Sequence, residues 1–249
     1  MRLTVVGCAG SMPGPDGPAS CYLVEQDGFR LLLDLGNGAL GALMRYVELA
    51  DLDAVVLSHL HSDHCIDLNA LYVARVYGPY SGGRRLPVLG PQSAAHRLAD
   101  AYGLRRDPGM TGTFDFRTLP QQVDIGPFRL RTARMAHPVE AYAVRLDGSH
   151  GSLVYSGDTG PNDDLPALAE GADVLLCEAS FVHGEDNPAD LHLTGVQAGE
   201  VAARSGVGTL VVTHVPPWND RQVAAAEAAT VFGGTVTAAT AGLVLDVGR

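Results

Sequence analysis

The chain is short of positive charge: 17 Lys and Arg stand against 28 Asp and Glu, a net charge of −11. That deficit argues against broad attraction to a nucleic-acid backbone or an anionic membrane. Arg84-Arg85, Arg105-Arg106 and Arg129, Arg131 and Arg134 could form a local basic patch, but scattered solvated charges are the simpler reading. Cys8, Cys21, Cys65 and Cys177 are widely spaced and form no C-x-x-C pair. A disulfide framework or a separate structural zinc site is therefore not expected. No apolar run approaches the ~18–20 residues of a membrane span. Met1 to Val6 leads straight into a strand-like segment, without the apolar core or cleavage site of a signal peptide. These absences point to a cytoplasmic protein in a reducing compartment, with no membrane partner.

What is present is a globular composition, 46% hydrophobic and 18% charged, with 30 glycines for tight turns. At 249 residues it could form one large α/β domain or two small ones. One stretch organises the rest. Residues 52–57 are apolar and β-branched, as in a short buried strand, and Ser58-His59-Leu-His61-Ser-Asp63-His64 follows directly. One histidine at a strand end is usually a satisfied surface or core residue. Four donors within six residues would crowd a loop and contribute little to folding unless they bound something. His59 and His61, two apart, can aim at one point, while Asp63 and His64 diverge on the following turn. Two neighbouring metal positions result, and imidazole with carboxylate suits zinc or nearby divalent ions.

Along the chain, strands are expected over 2–6, 20–24 and 29–34, the last two joined through Asp27-Gly28, a strong hairpin signal. The Pro/Gly-rich Met12–Pro18 segment reads as a covering loop. Helical spacing covers 39–49 and 66–76, a Gly/Pro loop 78–85, then a strand 86–89 and a helix 93–102. Strands follow over 113–118, 128–135 and 141–146, with a turn at Asp147-Gly148 and a strand over 152–156. The remainder reads as helix 165–170, strand 173–177, helix 194–205, strand 209–213, helix 223–231 and strands 235–239 and 242–247. No sequence repeat is visible, although the halves 1–130 and 131–249 have a similar mixture of elements. Periodicity alone indicates an α/β or α+β protein.

Three more candidates sit at strand ends. His137 precedes Pro138, which holds it extended; Asp158 follows Gly157; His214 follows Thr213. The order H-x-H-x-D-H, His, Gly-Asp and a late strand-His resembles the metallo-β-lactamase superfamily over nearly the whole chain. That resemblance implies a four-layer αββα sandwich and a single domain of pseudo-symmetric halves. It implies that His59, His61 and His137 hold one divalent ion and Asp63, His64 and His214 a second. Asp158 would bridge them. Zn²⁺ is the expected ion, with Mn²⁺ or Fe²⁺ as alternatives. The superfamily's di-iron branch has a glutamate where His61 stands, and several secreted zinc β-lactamases have a cysteine at the Asp158 position. Both differences point to a dizinc-type hydrolase.

Leu176-Cys177-Glu178-Ala179-Ser180 and Leu191-His192-Leu193-Thr194-Gly195 resemble motifs of the tRNA 3′-processing endonucleases (RNase Z) and related small phosphodiesterases. Val5 to Ser11 and Asp34-Leu35-Gly36 look like the same group. The resemblance implies that Glu178 and His192 deliver a proton to the departing oxygen and that Asp63 orients or accepts the nucleophile's proton. RNase Z has a long tRNA-gripping arm between the positions matching His137 and Asp158, and here only a strand, a turn and a strand intervene. The expected substrate is therefore a small phosphodiester, a 3′,5′-cyclic nucleotide foremost, and nucleic acid is disfavoured. Relatives commonly form homodimers. The alternatives are an RNase Z-like endoribonuclease, a glyoxalase II-like thioesterase or lactonase, and an inactive metal-binding module.

Overall fold

The computed structural model describes residues 1–80 and 83–248. Six strands in chain order build most of one sheet: β1 (Arg2–Gly7), β2 (Cys21–Gln26), β3 (Phe29–Leu33), β4 (Ala54–Val56), β5 (Leu86–Gly90) and β6 (Phe114–Thr118). The chain then crosses to a second sheet made of β7 (Gln122–Ile125), β8 (Phe128–Arg134), β9 (Tyr142–Gly148), β10 (Gly151–Tyr155), β11 (Val174–Glu178), β12 (Thr209–Thr213) and β13 (Thr235–Ala238). The last strand, β14 (Val244–Asp246), returns to the first sheet and pairs antiparallel with β1. Each sheet runs antiparallel on one side and parallel on the other.

The apolar strands read as continuous runs because both of their faces are covered. In β3, Leu31 and Leu33 enter the core between the sheets while Leu32 turns outward. In β11, Val174 and Leu176 face inward and Leu175 and Cys177 outward. The outward face of the first sheet packs on α1 (Ala39–Leu43), α2 (Ser62–Cys65), α3 (Leu68–Tyr77) and α4 (Ala94–Tyr102) through Leu43, Cys65, Leu71 and Leu98. That of the second packs on α5 (Asp164–Ala169), α6 (Gly195–Ser205) and α7 (Arg221–Ala229) through Leu165, Ala198, Ala202 and Ala228. The result is the expected αββα sandwich.

Several local expectations are corrected. The first helix stops at Leu43 rather than Leu49, where the hydrogen bonds tighten to Arg45 on Ala42 and Tyr46 on Leu43. Asp63 and His64 lie on the short helix α2 rather than on a turn. Strand β7 was not anticipated; it forms a hairpin with β8 across Gly126-Pro127, and its residues are only half covered. Asp147 and Gly148 belong to β9, and the chain reverses at Ser149-His150, because Asp147 is held in the sheet by Arg131 and Arg145. The expected 78–85 loop includes Ser81 and Gly82, which lie outside the described residues. All four cysteines are free.

Candidate metal centre

The C-terminal ends of β4, β10, β11 and β12 meet at one edge of the sandwich, and all nine sequence-derived site residues lie there. The ligand atoms of His59, His61, His137 and Asp158 fall within 4.8 Å of one another, as do those of Asp63, His64, Asp158 and His214. Asp158 belongs to both groups. Its Oδ2 lies 3.5 Å from His59 Nε2, while its Oδ1 lies 3.2 Å from His64 Nε2 and 3.4 Å from His214 Nε2. One carboxylate thus spans two clusters. It arrives there because Gly157 adopts φ +57, and a Cβ at that position would strike Tyr142 O at 2.8 Å.

Which nitrogen each ring presents is decided by what holds its other nitrogen. Ser58 Oγ donates to Asp34 Oδ2 and so accepts from His59 Nδ1 at 3.1 Å. His64 Nδ1 donates to Asp34 Oδ2 at 2.7 Å. His137 Nδ1 donates to Leu191 O at 3.0 Å. Ser180 Oγ donates to His214 O and accepts from His214 Nδ1 at 2.8 Å. In all four the Nε2 lone pair is left for the centre, the outer support usual for metal-binding imidazoles. His61 instead turns Nδ1 inward, 3.1 Å from His59 Nε2 and 3.2 Å from His137 Nε2.

These residues fit a pair of divalent ions. His64 Nε2 and His214 Nε2 face each other at 2.9 Å with both Nδ1 atoms already engaged, so a proton or a metal ion has to lie between them. Asp158 Oδ1 is buried with no hydrogen-bond partner. Burial pushes the pKa values of His59, His61 and His137 down, which keeps them neutral and ready to coordinate. Burial opposes charge on His64 as well, but Asp158 and Asp34 lift its pKa well above the ordinary range. The negative potential behind that shift is what bound cations would meet.

Glu178 ends β11 and is fully buried. Its Oε1 accepts from Thr159 N at 2.7 Å and His192 Nδ1 at 3.0 Å; its Oε2 accepts from Ser180 N and Leu193 N, each at 3.3 Å. Burial would lower the His192 pKa, but the Glu178 charge and hydrogen bond, with Asp158, raise it to about 9. That shift favours a protonated His192 imidazole, and its ring lines the cleft. Glu178 and His192 also converge with His214. The cleft holds about 290 Å³ and is lined by Ser11, Ser62, Arg97 and Leu191 besides the histidines and aspartates.

Sequence reasoning missed the roles of Asp34, Ser58, Tyr155 and Ser180. Asp34 Oδ2 accepts from Tyr155 OH and Ser58 Oγ, and its Oδ1 from Ser58 N, each at 2.7 Å. The available signal was the strand-end Asp34-Leu35-Gly36. Asp34 and His214 both hold left-handed backbone, with φ 60 and 56. Such strain costs ~1–3 kcal/mol per residue and persists where surrounding structure enforces it.

A two-sheet sandwich with this cluster on its edge is a metallo-hydrolase. The family profile described as "Beta-lactamase superfamily domain" matches residues 30–215, and the chain belongs to that superfamily. It is 44% identical to the uncharacterized protein ML1173 of Mycobacterium leprae, over 99% of this chain and 89% of that protein. It is 35% identical to the probable metallo-hydrolase YhfI of Bacillus subtilis, over 99% of this chain and 100% of that protein. The YhfI crystal structure superposes with a TM-score of 0.87 at 31% identity, covering 98% of each chain. A ribonuclease Z of Mycobacterium bovis is 31% identical over 95% of this chain and 94% of its own.

Proposed function

We propose that the chain is a dinuclear-metal phosphodiesterase acting on a small phosphodiester, foremost a 3′,5′-cyclic nucleotide such as cyclic AMP. The observation that carries this reading is the half-buried His192 at the cleft, held from behind by the buried Glu178. An alkoxide leaving from phosphorus needs a proton, whereas a thiolate leaves readily without one. The pair therefore supports phosphodiester cleavage over a glyoxalase-type thioesterase or a lactonase. The complete donor set counts against an inactive binding module.

Two divalent ions, proposed to be zinc with manganese or iron as alternatives, would acidify a water and neutralise phosphate oxygens. Asp63 is poised to orient the nucleophile and take its proton; its Oδ2 lies 3.1 Å from His214 Nε2. Glu178 fixes His192 through Nδ1, leaving Nε2 to protonate the departing oxygen. A cyclic phosphate would open to one phosphomonoester.

Similarity to ribonuclease Z supports tRNA 3′ processing as a second reading. Against it, β9 and β10 form a two-residue hairpin between His137 and Asp158, with no arm, and the cleft is small. Among the described residues no helix is long and apolar enough to cross a membrane. The cytoplasmic setting and the homodimer remain part of this proposal, and sedimentation of the purified protein tests the latter. The deciding experiment is turnover of bis(p-nitrophenyl) phosphate, cyclic AMP, cyclic GMP and a 3′-extended tRNA by metal-replete protein. Efficient tRNA processing with cyclic nucleotides untouched would reverse the order of preference.

A further inference from the structure

All of the chain's basic residues are arginines, and most of those described are occupied. Arg106 holds Asp100, Arg131 and Arg145 hold Asp147, and Arg84 holds Asp53. A cavity of about 410 Å³ between Cys8, Trp218 and Ala239 has its arginine, Arg221, paired to Asp16. Arg97, like Arg45 and Arg105, takes part in no hydrogen bond or ion pair among the described residues, although the chain carries an excess of carboxylates. What sets it apart is its place at the metal centre. Asp100, on the same helix, is claimed by Arg106 at 2.8 Å.

Its position follows from how α4 is seated. Ala94, Leu98 and Ala99 are buried, which turns Arg97 outward on the side where the helix overlooks the metal centre. There it lines the cleft with Ser11, Ser62, Asp63 and His192, and among the described residues it is the one arginine to do so. Its charge reaches Cys65, the neighbour of His64. An unpaired guanidinium facing the reaction centre matches an anion in flat, bidentate fashion.

We propose that Arg97 is the residue that pairs with the phosphate of the substrate and so selects an anionic phosphodiester over neutral esters. This rests on the phosphodiesterase reading above and names the group that recognises the substrate's charge. Arg97 binds and positions; it takes no part in proton transfer.

The test compares metal-replete wild type, Arg97→Gln and Arg97→Lys. Inorganic phosphate is titrated calorimetrically, and KM and kcat are measured on bis(p-nitrophenyl) phosphate and on neutral p-nitrophenyl acetate. Arg97→Gln should keep its metal content and melting temperature and bind phosphate about 10- to 100-fold more weakly, the range for a hydrogen bond to a charged group. Its KM for the diester should rise more than its KM for the acetate, and the lysine variant should recover only part of the loss. Unchanged phosphate affinity, or an equal loss on both esters, overturns the assignment. A wild type that cleaves a thioester but no phosphodiester overturns the phosphodiesterase reading instead, and the phosphate titration still decides Arg97.

Discussion

Replacing His192 by alanine and Glu178 by glutamine, singly and together, probes the proton-delivery pair. His192→Ala removes the donor itself. General-acid catalysis is worth ~10²–10⁴-fold, or about 2.7–5.5 kcal/mol of barrier. Glu178→Gln keeps the shape but loses the charge that lifts His192. A hydrogen bond to a charged group is worth about 1.5–3 kcal/mol, so the loss in kcat should be roughly 10- to 100-fold and smaller than that of His192→Ala. The glutamine also leaves its amide N–H₂ facing N–H donors, since both Glu178 oxygens accept from backbone. A stability loss of about 1–3 kcal/mol should accompany it. The assay is kcat of folded, metal-replete protein on cyclic AMP and on bis(p-nitrophenyl) phosphate, whose leaving group departs without a proton. Losses should be large on the first and small on the second. The double variant should be no slower than His192→Ala, because Glu178 acts only through the imidazole. Equal losses on both substrates, or additive losses in the double variant, would refute a proton-donor role and leave His192 as a phosphate-positioning or metal-supporting group.

Asp158→Ala removes the one carboxylate that faces both clusters, so metal content by elemental analysis should fall below two per chain together with activity. His192→Ala should retain both ions, and the two variants are best compared side by side. Asp34→Asn should weaken metal affinity about 10- to 100-fold, measured by chelator competition, because Asp34 orients His64 without reaching the centre. Gly36→Ala puts a Cβ 1.9 Å from Asp63 O, so α2 must shift with Asp63 and His64. Its thermal midpoint and metal content should both drop; a variant matching wild type in both would show that α2 yields without cost.

Much of this molecule is written in short stretches of chain. The His59–His64 cluster, the 21–33 hairpin and the alternation of Leu31, Leu32 and Leu33 all depend on residues within one or two turns of each other. Periodicity and ligand spacing therefore identify them. The late ligands His137, Asp158 and His214 become legible as a set only beside that first cluster. The turn expected at Asp147-Gly148 falls instead at Ser149-His150 because tertiary partners, Arg131 and Arg145, outweigh local turn preference. The first helix ends early where its hydrogen bonds tighten after Leu43.

What the fold alone decides is long-range. His64 meets His214 across 150 positions, and Tyr155 reaches Asp34 across 121. Those contacts choose which imidazole nitrogen faces the centre, bury Glu178 so that its charge acts on His192, and return β14 to the side of β1. Residue type and spacing supply the ligands. Tautomer, desolvation and charge coupling depend on the neighbours that packing brings within hydrogen-bond distance, so only the assembled sandwich determines them.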